Sequence, residues 1–372
     1  MGVRKEEGIV PMKERLVAAD ISRYKVVRKN WFAYNPMRLN IGSIARWQRD
    51  SDVLVSPDYV VFRCYEQARP TALHPDYLDH FRTSNQWNAF VTEAGDGGVR
   101  VRIYYSNISQ LRLALPDIAE QQKIADCLGS LDDLIAAESR KLGALRQHKQ
   151  GLLQQLFPQP GATQPRLRFP EFRDARRWEE RKLDELAKRG TGHTPSKSKP
   201  EYYDGDIEWV SLADSWRLDS GLIVDTKAKI SDQGIRNSSA TLHPAGSIIL
   251  SRDAGVGKSA VLGVPMAVSQ HFVVWSCDGD RLFNWFLYYL LQASKRIFES
   301  IATGSTIKTI GLPFFREMRV VVPLPAEQRR VADCLSTLDT QIAAQVRKLD
   351  AVKEHRRGLL QQLFPSPEEE SR

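Results

Sequence analysis

The sequence lacks the features that mark several classes of protein. It has only four cysteines, and none of them form a C-x-x-C pair: Cys64, Cys127, Cys277 and Cys334. No histidine lies near them at metal-ligand spacing, so neither a disulfide framework nor a zinc site is expected. The first residues lack the apolar core of a signal peptide, and no apolar run approaches the ~20 residues of a membrane helix. We therefore expect a cytoplasmic protein that does not enter the membrane.

Positive charge is in excess. The 372 residues include 53 lysines and arginines against 45 aspartates and glutamates, which gives a net charge of +8 and a pI of about 9.3. This balance favours a polyanionic partner such as nucleic acid, although a merely basic protein would have the same totals. The length allows two or three cores, because a single core rarely outgrows ~250 residues.

An internal repeat organises the chain. Residues 115–158 match residues 322–365 without a gap, at a constant offset of 207, and about 26 of the 44 aligned positions are identical. Each copy begins beside a proline and continues as a long proline-free segment rich in good helix formers. We predict one long helix in each copy, about 57 Å from residue 119 to 156 at ~1.5 Å per residue.

The apolar residues of both predicted helices alternate at spacings of four and three. In the first copy this seam consists of Ile124, Leu128, Leu131, Ile135, Leu142, Leu145, Leu152 and Leu156. In the second copy it consists of Val331, Leu335, Leu338, Ile342, Leu349, Val352, Leu359 and Leu363. The interruptions are Glu138 and Lys149 in the first copy, and Gln345 and Arg356 in the second. A 3.5-residue period calls for a helical partner, so we predict that the copies pair with each other; separate packing on two domains is the alternative.

Two globular regions of different sequence are joined to the helices. The predicted order is a first domain (1–114), a first helix (115–158), a linker (159–177), a second domain (178–321), a second helix (322–365) and an acidic tail (366–372). Predicted strands are 59–66 and 99–106 in the first domain, and 207–212, 247–251, 259–264, 271–277 and 318–324 in the second. Each domain also has helical segments, at 73–91 and 281–300, so the fold class is α+β.

The repeated unit resembles a known family. A hydrophobic-Pro pair, a Glu-Gln pair, a long helix ending in GLLQQLFP and a following RLRFPEF are similar to the conserved region and linker of type I restriction-modification specificity subunits. Segments 194–210, 242–261 and 304–310 are similar to recurring patches of the target-recognition domains in that family.

This resemblance implies two target-recognition domains joined by two long antiparallel coiled-coil helices. Each domain would read one half of an interrupted DNA site, and the helices would set the gap. The implied partners are double-stranded DNA, two methyltransferase subunits and restriction subunits. S-adenosylmethionine, ATP and Mg would be held by those subunits, so the chain itself would have no cofactor and no enzyme activity. Compared with the second domain, the first lacks an opening strand and helix, and we expect either a shortened domain or a late start.

Basic and polar residues on predicted loops are the candidates for DNA contact, because cationic side chains bind phosphates and side chains in a groove read bases. The candidates are Arg23, Lys25, Arg28, Lys29, Arg38, Arg46, His193, Thr194, Ser196, Lys197, Lys199, Arg252, Lys258 and Lys308. Those before residue 50 form the densest basic cluster of the first domain, and the others lie on three loops of the second.

Two short motifs suggest enzymes but are incomplete. Gly257-Lys258-Ser259 matches the end of a phosphate-binding loop, yet Arg252 stands where the first glycine is required, so we predict a turn between strands. Residues 35–37 contain only part of a methyltransferase tetrapeptide, and no glycine-rich cofactor loop accompanies them. No spacing of carboxylates indicates a nuclease metal site. We therefore assign no catalytic and no metal-binding residues.

Two alternatives remain open from the sequence. The Glu-Gln pairs at 120–121 and 327–328 lie at helix starts, where glutamate favours the positive end of the dipole, and either capping or partner docking fits them. A coiled-coil adaptor whose globular regions bind other proteins fits the same organisation. Steep salt dependence of duplex binding would favour the DNA-binding hypothesis, because counterion release makes affinity fall with salt.

Overall fold

The structure is a computed structural model, and it describes residues 1–5, 7–12, 20–65, 72–94, 102–113, 115–304 and 308–364. The chain divides into two compact units. Unit 1 comprises Met1–Lys141 and Gln345–Arg372, and unit 2 comprises Leu142–Ala344. Both boundaries fall inside the repeat copies, so each unit contains part of both copies. The predicted acidic tail (366–372) lies outside the described residues.

Two helices are much longer than the others. The helices are α1 (Pro75–Phe81), α2 (Asn85–Glu93), α3 (Tyr105–Ile108), α4 (Ile118–Leu156), α5 (Leu183–Leu186), α6 (Asp232–Arg236), α7 (Asn284–Ala293), α8 (Lys295–Ile301), α9 (Leu312–Glu317) and α10 (Pro325–Leu363). The 39-residue helices α4 and α10 confirm the two long helices predicted from the repeat. None of the helices in the described ranges combines the length and apolarity needed to cross a membrane.

Unit 1 contains short antiparallel strands. They are β1 (Gly2–Arg4), β2 (Gly8–Val10), β3 (Lys25–Val27), β4 (Phe32–Tyr34), β5 (Ile44–Arg46), β6 (Val53–Val55) and β7 (Val60–Phe62). β4 is the middle strand of a three-stranded sheet with β5 and β7, while β1 pairs with β2 and β3 with β6. Aromatic side chains from the sheet and from α1 and α2 pack together with Leu128 of α4 and Phe364, which follows α10.

One predicted strand of unit 1 is wrong where the structure describes it. Residues 102–104 of the predicted strand 99–106 lie in no strand, and Tyr105 begins helix α3. The Asn107 side chain accepts a hydrogen bond from the backbone N–H of Tyr104 (2.8 Å), which closes the first turn of the helix. Alternation of apolar residues does not reveal such a cap, because capping is a local polar contact. Residues 99–101 lie outside the described residues.

Unit 2 has two larger sheets and a small one. Its strands are β8 (Glu179–Lys182), β9 (Ala187–Thr191), β10 (Tyr203–Val210), β11 (Leu222–Ile223), β12 (Ala228–Ile230), β13 (Leu242–His243), β14 (Ile248–Ser251), β15 (Ser259–Leu262), β16 (Met266–Val268), β17 (Phe272–Cys277) and β18 (Arg319–Val322). The sheet orders are β12-β10-β16-β13, β11-β15-β14-β17-β9 and β18-β8. Every strand predicted for the second domain overlaps one of these, and α7 and α8 occupy the predicted helical segment.

The core of unit 2 forms where α7 packs on the five-stranded sheet. Strands β14 and β17 contribute residues with no exposed surface, including Trp275. The same cluster includes Phe157, at the end of the first repeat copy, whose ring lies 5.3 Å from that of Phe286 in α7. The end of the first helix is thus buried in unit 2, just as Phe364 at the end of the second is buried in unit 1.

The two long helices pair in an antiparallel arrangement. In unit 1, Arg356 Nη2 donates to Asp132 Oδ2 at 2.9 Å, and Gln345 Nε2 donates to Glu138 Oε2 at 2.5 Å. As α4 advances from 132 to 138, its partner residue in α10 recedes from 356 to 345. In unit 2, Lys149 Nζ lies 2.5 Å from Asp339 Oδ1. The residues that interrupt the apolar seam therefore make polar contacts between the helices.

The apolar seam itself is covered along its whole length. Each of the seam residues named from the sequence is buried or half-buried. Sequence reasoning did not include Ala125, Ala332 and Leu360, which are also buried on these helices. The two alanines were omitted because the pattern was drawn from large apolar residues, although alanine allows two helices to approach closely.

Candidate nucleic-acid interface

The predicted loop 193–199 lies between β9 and β10 of unit 2. Thr194 Oγ1 donates to Gln270 Oε1 at 2.5 Å, and the hydroxyls of Ser196 and Ser198 lie 2.9 Å apart. Lys197 is exposed. The other two candidates here are partly engaged: Lys199 Nζ lies 4.0 Å from Glu201, and the carbonyl of His193 accepts from Trp209 Nε1 at 3.2 Å.

The predicted loop 252–258 is a tight turn between antiparallel strands β14 and β15. Three of its residues have positive φ: Ala254 (43°), Gly255 (113°) and Gly257 (84°). The prediction of a turn is confirmed, and the strand-turn-strand order differs from the strand-turn-helix order of a nucleotide-binding loop. Glycine suits these positions because it has no Cβ to oppose a positive φ.

The third predicted position, Lys308, follows residues 305–307, which lie outside the described residues, so the segment 304–310 is not described in full. Lys308 is exposed, and its neighbour Thr309 pairs in isolated β-bridges with Thr303 and Asp253. Arg252 supports this segment, because its Nε donates to the carbonyl of Ile310 at 3.2 Å. The loop 252–258 therefore holds the 308 segment through main-chain contacts.

A series of polar contacts, three between side chains and one between main chains, connects these three loops. Gln270, which accepts from Thr194, lies 3.4 Å from His271 through their Nε2 atoms. The Nδ1 of His271 lies 2.8 Å from Asp253 Oδ1, and Asp253 bridges to Thr309. Three segments far apart in the sequence are thereby gathered in one region of unit 2.

A pocket of about 690 Å³ opens beside the turn 254–258. Three lysines line it, Lys258, Lys295 and Lys308, against a single carboxylate, that of Glu299. Lys258 Nζ also donates to the carbonyl of Ser215 at 3.2 Å and to Asp219 Oδ2 at 2.7 Å. An excess of ammonium groups around an open pocket is suited to a phosphate or another anion.

Lys295 is a residue that sequence reasoning missed. It begins α8, and only the packing of α8 against the turn brings it to the pocket: a Cβ on Gly257 would lie 3.0 Å from its Cγ. A lysine within the predicted helical segment 281–300 has no distinguishing sequence signal, because solvated surface charge is the default for this residue type.

The structure assigns Arg46 of unit 1 to packing, which corrects its prediction as a DNA contact. Its side chain is only 8% exposed and forms ion pairs with Asp76 and, at 3.3 Å, with Asp79. Both carboxylates come from α1, so they neutralise the guanidinium and hold the helix against β5. A cation buried in this way is not available to a phosphate.

The other predicted residues of unit 1 lie at its surface. Arg23 and Arg38 are exposed, and Lys25 Nζ donates to the carbonyl of Tyr59 at 2.6 Å. Lys29 Nζ lies 2.6 Å from Asp50 and, by donating this hydrogen bond, holds the pKa of that carboxyl below its usual range.

Arg28 belongs to a cluster of cations and aromatic rings in unit 1. The guanidiniums of Arg28 and Arg63 lie 5.6 and 5.8 Å from the ring of Trp31, and Arg63 also lies 5.4 Å from the ring of Tyr65. Tyr65 is 63% exposed. Arg63 was not among the candidates because it lies in the predicted strand 59–66, whereas the candidates were taken from predicted loops.

Among the described residues, no group of three His, Cys, Asp or Glu side chains is arranged to hold a metal ion. The candidate interface therefore consists of the lysine-lined pocket, the polar loops of unit 2 and the cation-aromatic cluster of unit 1.

Comparisons with known proteins bear on this surface. Residues 175–354 match the family model of the type I restriction modification DNA specificity domain. The putative type I restriction enzyme MjaX specificity subunit of Methanocaldococcus jannaschii is 19% identical over 359 residues, which are 94% of this chain and 81% of that protein. Over residues 175–354 the chain therefore matches the type I restriction-modification DNA specificity family. The matched region contains the three loops and the lysine-lined pocket.

Two further similarities differ in how much of each chain they cover. The MjaIX specificity subunit of the same organism is 27% identical over 169 residues, which are 44% of this chain but only 38% of that relative's length. A chain from a solved type I restriction-modification system, described for its complex assembly and conformational transition, superposes with a TM-score of 0.60 at 19% identity. That superposition covers 93% of this chain and 84% of the other chain, which shows a common fold.

Proposed function

We propose that this chain is the DNA-specificity subunit of a type I restriction-modification complex. Each of its two domains would contact one half of an interrupted duplex site. The helices α4 and α10 would set the gap between the halves and dock methyltransferase subunits.

The observation that carries the DNA-binding part is the lysine-lined pocket of unit 2, which is lined by the loop 252–258, α8 and Lys308. The loop 193–199 is linked to this region through Gln270 and His271. Lys258 and Lys308 are two of the residues predicted from the sequence to contact DNA, and Lys295 adds a third cation to the pocket. Cationic side chains on loops bind backbone phosphates and so position polar neighbours to read bases. Gln270, Thr194 and Ser196 lie on or beside these loops and have the donors and acceptors that such reading requires.

The chain performs no chemistry in this proposal. S-adenosylmethionine, ATP and Mg would belong to two methyltransferase subunits and to restriction subunits, and the complex would act on DNA in the cytoplasm. The absence of an enzyme motif in the sequence supports this division of labour.

The first test is co-expression of the chain with a methyltransferase subunit of the same system, followed by methylation-aware sequencing of host DNA. We expect a methylated motif with two specified halves. The double variant K258A/K308A should weaken or abolish methylation, whereas K188A, which removes an exposed lysine of β9 outside the loop cluster, should not. A stable complex with no motif would contradict the DNA-reading proposal, and no complex at all would favour a protein adaptor.

The spacer proposal has its own test. Removing one matched heptad from both α4 and α10 shortens each helix by about 10 Å. The gap in the methylated motif should shorten by about three base pairs, at ~3.4 Å per step. A motif with an unchanged gap, in a variant that still methylates, would sink the spacer role.

A further inference from the structure

Trp216 of unit 2 is a large aromatic side chain left in solvent. It is 63% exposed and lies in the short turn between Ser211 and Gly221. Tryptophan has the largest apolar surface of any side chain, so it is usually covered to a large extent in a folded protein. An indole held at the surface beside cations offers an apolar face to a partner.

The ring is held in place rather than loosely attached. The guanidinium of Arg217 lies 4.6 Å from the ring centroid of Trp216. Arg217 is itself fixed by hydrogen bonds to Asp214 and Asp225, each at 3.1 Å. The Asp214 side chain has no exposed surface and also accepts from the backbone N–H of Ser211. A cation stacks on the indole, and a buried carboxylate anchors that cation.

The turn is tied directly to the lysine-lined pocket. Lys258, which lines the pocket, donates to the carbonyl of Ser215 and pairs with Asp219. These two residues lie on either side of Trp216 in the turn. The exposed ring is therefore a neighbour of the cationic surface of unit 2.

We propose that Trp216 contacts nucleic acid, packing its exposed ring on the apolar surface of a base or deoxyribose while the adjacent lysines bind the backbone. This inference rests on the proposed DNA-binding function and adds a residue class to it. Rings beside cations are a common arrangement on surfaces that bind nucleic acid, because an aromatic face covers apolar parts of a nucleotide that lysine cannot. Arg217 would keep the ring in its orientation.

The experiment measures binding of the full-length chain to a pool of random-sequence duplexes over a range of salt concentrations. W216A should weaken binding by about tenfold, within the range measured for aromatic contacts with bases, and W216F should retain most of the affinity. L324A, which removes a 48% exposed apolar side chain at the start of α10, is the matched control and should bind as the wild type does.

Salt dependence separates the ring from the lysines. K258A and K308A should each reduce the slope of log affinity against log salt by about 0.9, because each removes one phosphate contact. W216A should lower the affinity without changing the slope. Tryptophan emission provides a direct readout, with W285F in α7 as the control. Duplex should change the emission of the wild type and of W285F, and this change should be much smaller in W216F.

The outcomes are distinguishable. If the wild type binds with a steep salt dependence but W216A binds equally well and W216F shows the full emission change, this inference is overturned and the DNA-binding function stands. If W216A keeps its DNA affinity but loses a methyltransferase subunit, the ring is a protein contact. If the wild type binds no duplex, the proposed function fails and this inference fails with it.

Discussion

Both repeat copies have a Glu-Gln pair at the start of a long helix. The two glutamines make the same contacts in both copies, whereas the two glutamates differ in burial. Gln121 and Gln328 make equivalent contacts: each side-chain oxygen accepts a backbone N–H at 2.8 Å, from His74 and Phe283 respectively. Each side-chain nitrogen donates to two carbonyls, one of them from the proline at the start of its own copy. The glutamine therefore fastens each globular region to its helix.

The glutamates differ. Glu327 is 1% exposed, where Arg168 of the linker donates to both of its oxygens at 2.8 Å and Trp178 Nε1 donates to one at 3.1 Å. Glu120, at the aligned position, is exposed. The same residue at aligned positions of two similar helices thus differs in burial because only one copy is covered by the linker segment. A repeat predicts the scaffold contact, but the neighbouring segment decides whether a side chain is buried.

The same comparison extends along the helices. Asp132 pairs with Arg356 and lies 3.7 Å from His80 of α1. Its aligned residue Asp339 pairs with Lys149 and accepts from the Tyr289 hydroxyl at 2.8 Å. Here the two helices form a carboxylate-cation pair that occurs once in each unit at aligned positions. Each globular region adds a different third group to this pair.

The largest expected effect separates the two glutamates. E327A leaves Arg168, 14% exposed, and the indole N–H of Trp178 without their acceptor, and removing one partner of a buried ion pair costs about 3–5 kcal/mol. E120A should change stability by less than about 0.5 kcal/mol, as surface substitutions usually do. Denaturant unfolding of both variants checks this. Equal losses would show that linker docking does not distinguish the two copies.

The two glutamines should behave alike. Q121A and Q328A each leave one buried N–H and two carbonyls without their side-chain partner, at a cost of about 1–3 kcal/mol. Hydrogen exchange should quicken at the start of α1 in Q121A and at the start of α7 in Q328A. A strong effect in one variant and none in the other would refute the equivalence. The control is Q122A, which changes the neighbouring, half-buried glutamine.

A third prediction concerns a contact in which aligned residues meet each other. Glu138 and Gln345 are equivalent in the repeat and are hydrogen-bonded, with Lys348 Nζ 2.5 Å from Glu138. The hydrogen bonds from Lys348 and Gln345 hold the pKa of Glu138 below its usual range. The stability from this contact is therefore present above the unfolded carboxyl pKa and is lost as pH falls through the folded pKa.

Q345E would place two carboxylates together at this point. We expect a lower unfolding midpoint than wild type at pH 7, and a difference that shrinks toward pH 4, because protonating one carboxyl removes the repulsion. The swapped double variant E138Q/Q345E should recover much of the loss by restoring one carboxylate and one amide. Failure of the swap to recover stability would mean that the local surroundings, not the pairing, select glutamate at 138.

The smallest effect distinguishes His80 from Tyr289. Burial lowers the pKa of His80, with Arg356 contributing in the same direction and Asp132 opposing. Its contribution to the stability of unit 1 is present above pH ~6.5, the unfolded value, and is lost as pH falls through the folded pKa. H80Y, which installs the residue type that contacts the corresponding aspartate, Asp339, in unit 2, should remove this acid loss from unit 1. Hydrogen exchange of α1 between pH 7 and 5 measures it, and an unchanged pH dependence would contradict the assignment.

The repeat, the apolar spacing and the turn residues made much of the fold predictable. The two helices, the seam and the strands of unit 2 follow from local periodicity, because the pattern of burial repeats within a few residues. Arg46 was predicted wrongly because its partners, Asp76 and Asp79, lie in a different element. Lys295, Arg63 and Trp216 were missed because no neighbouring residue in the sequence distinguishes them from ordinary surface side chains.

The sequence by itself determined that the chain contains two long, alike helices, each joined to a different α+β region, since helix propensity and a 3.5-residue apolar period are local properties. Only the tertiary structure decided which polar interruptions of the seam meet, which glutamate is buried, and which lysines surround one pocket. Those outcomes depend on contacts between residues separated by tens or hundreds of positions, and a chain order alone does not specify which distant side chains become neighbours.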